Sequence, residues 1–230
     1  MIAANKLYYL ILGYIHLMIT EYQYIIFIFL LILCFYIVSK KFKERGMVYC
    51  KSVVDDAYYL VRDRADKNRA ANLLATIKKN IFDITQYMYN RLIAIDSLPD
   101  IDRERYASNK QYIEQLNTNI SNVVIMESSD SSKYTSYSVN KGEEIVFCIR
   151  SKTLSNLIDG NDMHDTNLIM YVALHEISHV ACPEKDHTPL FLKIFNFICN
   201  EAVTMGIYKK INFNDKSEEY CGMMITDSII

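Results

Sequence analysis

The stretch that most constrains this chain is LIMYVALHEISHV, residues 168–180. It is apolar and compatible with a helix, yet it carries His175, Glu176 and His179 near its end. Two histidines four residues apart lie one turn apart on the same face of an α-helix, with Cβ atoms about 5–6 Å apart. A polar side chain in an otherwise buried helix costs about 1–3 kcal/mol unless it is paired. We therefore expect the two imidazoles to bind one ion.

The same stretch has the H-E-x-x-H spacing that is typical of zinc peptidases. Glu176 lies roughly 100° round the helix from His175, beside the open coordination position of an ion held by the histidine pair. His187 offers a third imidazole after a short loop. The sequence thus predicts Zn²⁺ as the cofactor, with His175, His179 and His187 as metal ligands and Glu176 as the catalytic residue. The alternative is an amphipathic core helix whose polar residues face water.

Chain length and charge are those of one domain of ordinary size with an apolar extension. The 230 residues carry a net charge of −2, which gives no general case for nucleic-acid binding. None of the six cysteines forms a C-x-x-C pair, so we expect buried, reduced thiols in a reducing compartment. The residues are Cys34, Cys50, Cys148, Cys182, Cys199 and Cys221.

The N-terminal region predicts a membrane anchor. Residues 24–38 form an uninterrupted apolar run, and a span of about 22–38 approaches the length that crosses about 30 Å of hydrocarbon. A second apolar block, residues 7–19, lies either in the membrane interface or within one longer tilted helix. We expect residues 1–46 to form the anchor with its basic flank, and residues 47–230 to form the functional domain.

The charges that flank the apolar run predict the orientation of the anchor. Four basic residues follow it, whereas only Lys6, offset by Glu21, precedes it. The positive-inside rule then places the C-terminal domain on the cytosolic side of the membrane. The four residues are Lys40, Lys41, Lys43 and Arg45.

The remaining patterns predict an α+β fold. Helical periodicity is strong over 66–92, weaker over 102–118, and begins again after Thr188-Pro189, which is a good helix start. Alternating apolar segments around turn residues predict hairpins over 47–62 and 134–150, and a last strand over 220–225. The strand 145–150, just before the metal helix in sequence, is a candidate edge for an added substrate strand, and an ordinary sheet strand is the alternative.

The metal segment resembles a known family. LHEISHVACPEKDHTPLF, residues 174–191, resembles the WLM and SprT-type zinc metallopeptidases, in which a loop, a third histidine and a helix with an early aromatic residue follow H-E-x-x-H. A wider likeness, to uncharacterised H-E-x-x-H proteins of large nucleocytoplasmic DNA viruses, covers about residues 47–228. It rests on YLVRD (59–63), DKNRAANLLATI (66–77), KYTSYSVNKGEEIVFCIRS (133–151), GIYKKINF (206–213) and YCGMMITD (220–227).

These resemblances imply a zincin-like fold, with the active-site helix packed on a small mixed or antiparallel sheet. They also favour His187 as the third ligand, because it directly precedes Thr188-Pro189. Glu201, on the following helix, is the alternative, and Cys182 is a weaker candidate. Tyr208 could polarise a substrate carbonyl, although an ordinary packed tyrosine is the simpler interpretation.

The leading functional hypothesis is a membrane-anchored zinc endopeptidase acting on proteins or peptides. Glu176 would take a proton from the attacking water and pass it to the leaving amine. One alternative is a membrane-anchored structural or interaction protein, for example of a virion, with a non-catalytic zinc site. Another is a protease of DNA–protein crosslinks, which the membrane segment and the lack of a broad basic face argue against.

Overall fold

The computed structural model describes residues 22–36, 38, 46–151 and 163–230. The chain divides into two units, Met1–Arg45 and Gly46–Ile230. The predicted site residues all belong to the second unit.

The predicted single-pass membrane placement is wrong. In the first unit the described helical residues are 22–36 and 38. Among all described residues, no helix has both the length and the apolar character needed to cross a membrane. The predicted second block, residues 7–19, and the basic flank lie outside the described residues.

The second unit is an α+β fold, as predicted. Two strands form a hairpin that leads into two long helices, and three further strands and two more helices follow before a final hairpin. The elements are β1 (Met47–Lys51), β2 (Tyr58–Arg62), α1 (Lys67–Ile93), α2 (Asp100–Ile120), β3 (Val124–Glu127), β4 (Tyr137–Val139), β5 (Glu144–Phe147), α3 (Thr166–Ala181), α4 (Pro189–Thr204), β6 (Glu218–Tyr220) and β7 (Met223–Ile225). A short 3₁₀ turn, Ile95–Ser97, joins α1 to α2.

The helix starts follow capping rules that the sequence displays. The Asp165 carboxylate accepts hydrogen bonds from the backbone amides of Asn167 and Leu168, at the start of α3. The Thr188 hydroxyl accepts one from the amide of Phe191, and Pro189 occupies the first turn of α4. These two caps fix both ends of the segment that carries the predicted metal ligands.

The central sheet has three strands in the order β3-β5-β4. β5 pairs with β3 in parallel and with β4 in antiparallel register. β5 therefore offers no edge to a substrate, and of the two interpretations of this segment the structure shows the ordinary sheet strand. The sheet instead ends at β4, whose Tyr137–Val139 is an edge strand.

Helix α3 is the centre of the fold, and it packs against α1, α2, α4, β4 and β5. Burial of its apolar side chains stabilises the fold by about 1.5–3 kcal/mol for each large residue. Its fully or nearly fully buried apolar residues are Leu168, Ile169, Met170, Ala173, Leu174, Ile177, Val180 and Ala181. The metal segment is thus held by a rigid core helix.

A disulfide joins Cys148, just after β5, to Cys221 in the turn between β6 and β7. The prediction of reduced thiols is wrong for these two residues. Their 73-residue separation carries no spacing signal, and only the fold brings β5 beside the C-terminal hairpin. The free cysteines among the described residues are Cys34, Cys50, Cys182 and Cys199.

Candidate metal centre

The structure brings the three predicted histidine ligands together. His175 and His179 lie one turn apart on α3, and a loop over residues 182–188 returns His187 to them. The loop turns back at Asp186, which adopts a left-handed backbone conformation with φ of 63°. Aspartate is one of the few residues other than glycine that adopts this conformation readily.

The spacing of the imidazole nitrogens fits a single metal ion. The Nε2 atom of His175 lies 3.2 Å from that of His179 and 3.0 Å from that of His187. The Nε2 atoms of His179 and His187 are also 3.2 Å apart. Ligand atoms about 2.0–2.1 Å from a tetrahedral zinc ion lie roughly 3.3–3.4 Å from each other. The triangle is close to that size, so the side chains need only small adjustments.

The chemistry of these nitrogens also fits a cation. A neutral imidazole that carries its hydrogen on Nδ1 presents a lone pair at Nε2. Three such lone pairs within 3.2 Å of one another repel unless a positive charge lies between them. The donor set of three imidazoles is one that zinc commonly takes.

Electrostatics keep the histidine pair on α3 neutral. Burial lowers the pKa of His175 to about 3, helped by the neighbouring His179 and His187. Burial also lowers the pKa of His179 to about 4, with further contributions from His187 and Lys141. Both groups are therefore unprotonated at neutral pH, which is the form that binds metals.

Phe191, in the first turn of α4, forms one wall of the histidine cluster. Its ring stacks on His179 with a centroid distance of 4.2 Å and meets His175 and His187 edge-on at 5.0 and 4.9 Å. Ring packing restricts the orientation of the three imidazoles. Phe191 is not among the predicted site residues, although it is the aromatic that follows the third histidine in the resemblance.

Glu176 is buried beside the cluster and faces the same cleft. Its side chain is almost fully buried, and this burial raises its pKa to about 7, an effect that hydrogen bonds from the hydroxyl and backbone amide of Ser138 reduce. A carboxyl group with a pKa near neutrality can both accept and release a proton at physiological pH. Tyr220 is near enough for the Glu176 charge to raise its own pKa.

The histidines and Glu176 open on a cleft of about 790 Å³. Its lining includes residues of the edge strand β4, the residues before that strand, and the C-terminal segment 223–227. Charged groups from the loop that carries His187 complete the lining, which also includes Tyr137, Tyr171, Val172, Met223 and Met224. Concave, mainly apolar sites with a few convergent polar groups are typical of ligand pockets.

The other candidate site residues lie elsewhere. Glu201 is buried away from the cluster, where its carboxylate accepts a 2.6 Å hydrogen bond from the hydroxyl of Tyr106 and pairs with Arg105 at 2.8 Å. Tyr208 is packed against Tyr171, and its oxygen accepts a hydrogen bond from a backbone amide. Cys182 is buried but does not belong to the ligand group.

A second group of metal-ligating residue types joins the disulfide to a histidine. The Nε2 atom of His164 lies 3.2 Å from the Sγ atom of Cys221, and Cys148 completes the group. Because the two sulfurs are bonded to each other, neither offers a thiolate, which is the form in which cysteine binds metals. Among the described residues, this leaves the three-histidine group as the one suited to a metal ion.

Fold and site together define an α+β protein with a three-histidine group that could hold a metal ion. The chain is 37% identical to Uncharacterized protein R325 of Acanthamoeba polyphaga mimivirus over 195 residues, which cover 85% of this chain and 90% of that protein. It belongs to the same family as this mimivirus protein. The predicted likeness to proteins of large DNA viruses is thus confirmed.

A second relative matches a shorter part. Uncharacterized protein 136R of Invertebrate iridescent virus 6 is 38% identical over 73 residues, which are 32% of this chain and 38% of that protein. No protein-family model matches the chain, and no solved structure is significantly similar to it. The metallopeptidase part of the resemblance therefore depends on the site itself.

Proposed function

We propose that this protein is a zinc-dependent endopeptidase with a zincin-like active site, the class that the likeness to WLM and SprT-type peptidases implied. One observation carries the proposal: three imidazole Nε2 atoms 3.0–3.2 Å apart open on the same cleft as a buried glutamate. A core helix packed on a sheet that ends in an edge strand supports the zincin comparison.

The three histidines would hold the ion, and Glu176 would act as the general base. Zinc, when bound, supplies a Lewis acid that activates water and polarises a substrate carbonyl. Glu176 takes a proton from the attacking water and later gives it to the leaving amine. Burial favours this exchange, because it brings the pKa of the carboxyl group to about 7.

The shape of the cleft favours an extended polypeptide as the substrate. An edge strand has backbone groups that can pair with an added strand, and β4 lies along the cleft beside Glu176. Apolar side chains from β7 also line the cleft and offer contacts to substrate side chains. Backbone pairing fixes the direction of the substrate, so one peptide bond can be placed near the metal centre.

The test is whether peptide cleavage depends on bound zinc. The full chain, loaded with one equivalent of zinc, is incubated with casein and with an unstructured peptide mixture, and new amino termini are counted. Removal of zinc with a chelator should abolish cleavage, and one equivalent of zinc should restore it. A protein that binds zinc tightly but cuts neither substrate would contradict the proposal and favour a structural or interaction protein with a non-catalytic zinc site.

A further inference from the structure

We propose that Lys141 is a positioning residue for the metal centre and holds the loop that carries His187. This inference rests on the metal site of the proposed function, but not on its catalytic activity. Lys141 lies in the turn between β4 and β5, far in sequence from the three histidines.

The Lys141 ammonium group spans the start of the loop. Its Nζ atom donates hydrogen bonds to the backbone oxygens of His179, Cys182 and Glu184 at 3.2, 2.5 and 2.9 Å. An ammonium group has three donors, so these three carbonyls use all of them. The first carbonyl belongs to the last turn of α3 and the other two belong to the loop.

The end of a helix is a favourable place for this cation. The last carbonyl groups of an α-helix have no partner within the helix, and the helix dipole places partial negative charge there. Lys141 therefore satisfies the α3 terminus directly after the second metal ligand. The same group fixes the direction in which the chain leaves the helix.

The turn that presents Lys141 has little freedom to move. Asn140, Lys141 and Gly142 all adopt positive φ angles of 46°, 56° and 110°. A Cβ atom added to Gly142 would lie 2.9 Å from the Cγ1 atom of Val180 on α3, which is too close for a side chain. The turn is thus packed directly against the helix, one residue beyond His179.

The loop depends on such side-chain contacts. Residues 183–187 make no backbone–backbone hydrogen bond within the described part of the chain. At the far end of the loop, the Glu184 carboxylate accepts a hydrogen bond from the hydroxyl of Thr188. His187 itself is exposed, unlike the two ligands on α3, so its position is determined by the path of the loop.

Loss of the Lys141 contacts should therefore weaken metal binding through the third ligand. Side chains that hold metal ligands in place typically contribute 10–100-fold to metal affinity. In the full chain, we expect Lys141→Met to raise the zinc dissociation constant about 10–100-fold and to speed zinc release. Competition with a chromophoric chelator measures the dissociation constant at equilibrium and the rate of zinc release from its time course. Lys141→Arg, which keeps donors for the carbonyls, should lie between wild type and Lys141→Met.

The matched control is Lys79→Met, which removes an exposed lysine that pairs with Asp83 on α1. It should leave the zinc dissociation constant unchanged. Urea unfolding of the metal-free forms separates positioning from general stability. If Lys141→Met binds zinc as tightly as wild type does, whether or not that stability falls, the inference is overturned. Absence of zinc binding by wild type overturns both proposals, whereas tight binding without peptide cleavage contradicts only the proposed activity.

Discussion

Replacing Glu176 with glutamine should lower the rate of peptide cleavage by about 10²–10⁴-fold, the usual contribution of a general base. Glutamine keeps the size and the hydrogen-bonding oxygen of the side chain, but it cannot take a proton from water. Glu176 is not one of the three histidines that could hold the ion, so the variant should still bind one equivalent of zinc. Initial rates on casein and zinc content measured on the same sample test both parts.

The matched control for this variant is Glu114→Gln, which removes an exposed carboxylate from α2 that lies 3.9 Å from Lys110. It should cut substrate at the wild-type rate. If Glu176→Gln cleaves within a factor of two of wild type while binding zinc, Glu176 is not the general base. Loss of zinc from the Glu176→Gln variant would instead show that the carboxylate helps to hold the ion.

The second large effect concerns stability and a buried ion network around Glu127. Its fully buried carboxylate accepts hydrogen bonds from the backbone amide of Arg62 and from the guanidinium of Arg150. Arg150 also makes a bidentate pair with Asp66, at 2.7 and 3.1 Å, and Arg62 pairs with Asp130 at 2.8 Å. The network joins the ends of β2 and β3, and the segment that follows β5, to the start of α1.

We expect Glu127→Gln to lower the free energy of unfolding by about 3 kcal/mol, at the lower end for breaking a buried ion pair, because Arg150 keeps Asp66 and Arg62 keeps Asp130 as partners. This is a large part of the about 5–15 kcal/mol that stabilises a typical domain. Urea unfolding at neutral pH measures it. Asp83→Asn, which breaks the exposed pair with Lys79, should change stability by less than about 1 kcal/mol. A loss of similar size in both variants would mean that the buried network adds nothing beyond a surface pair.

The ligand helix could be predicted because its signals are local. Helical periodicity places His175 and His179 on one face, and Asp165 and Thr188 cap their helices as their residue types suggest. The position of His187 follows from the short loop and the helix start after it. These features need no knowledge of distant parts of the chain.

The surroundings of the site could not be predicted, because they depend on pairing between distant segments. In the sequence, Lys141 is an ordinary turn residue. Only the structure shows that this turn packs on α3. The Cys148–Cys221 disulfide and the Arg150–Glu127 pair likewise join segments that carry no spacing signal. The sequence left open whether β5 is a substrate edge or an ordinary sheet strand, and the answer depends on β3, which no pattern indicated and which pairs along one side of β5.

The N-terminal region shows a different limit of prediction from the sequence. A long apolar run is a strong local signal, but length and apolarity have to coincide in one helix for a membrane span. They do not coincide in any helix that the structure describes.

The central claim is that three imidazoles hold one metal ion, and counting zinc tests it most directly. Each purified full-length protein is dialysed against zinc, freed of excess metal and measured for bound zinc per chain. We expect almost no zinc in His187→Ala, which lacks the third ligand. We expect one zinc per chain in wild type and in Glu201→Gln, because the Glu201 carboxylate is engaged with Tyr106 and Arg105. Full zinc content in His187→Ala, or loss of zinc in Glu201→Gln, would contradict the central claim.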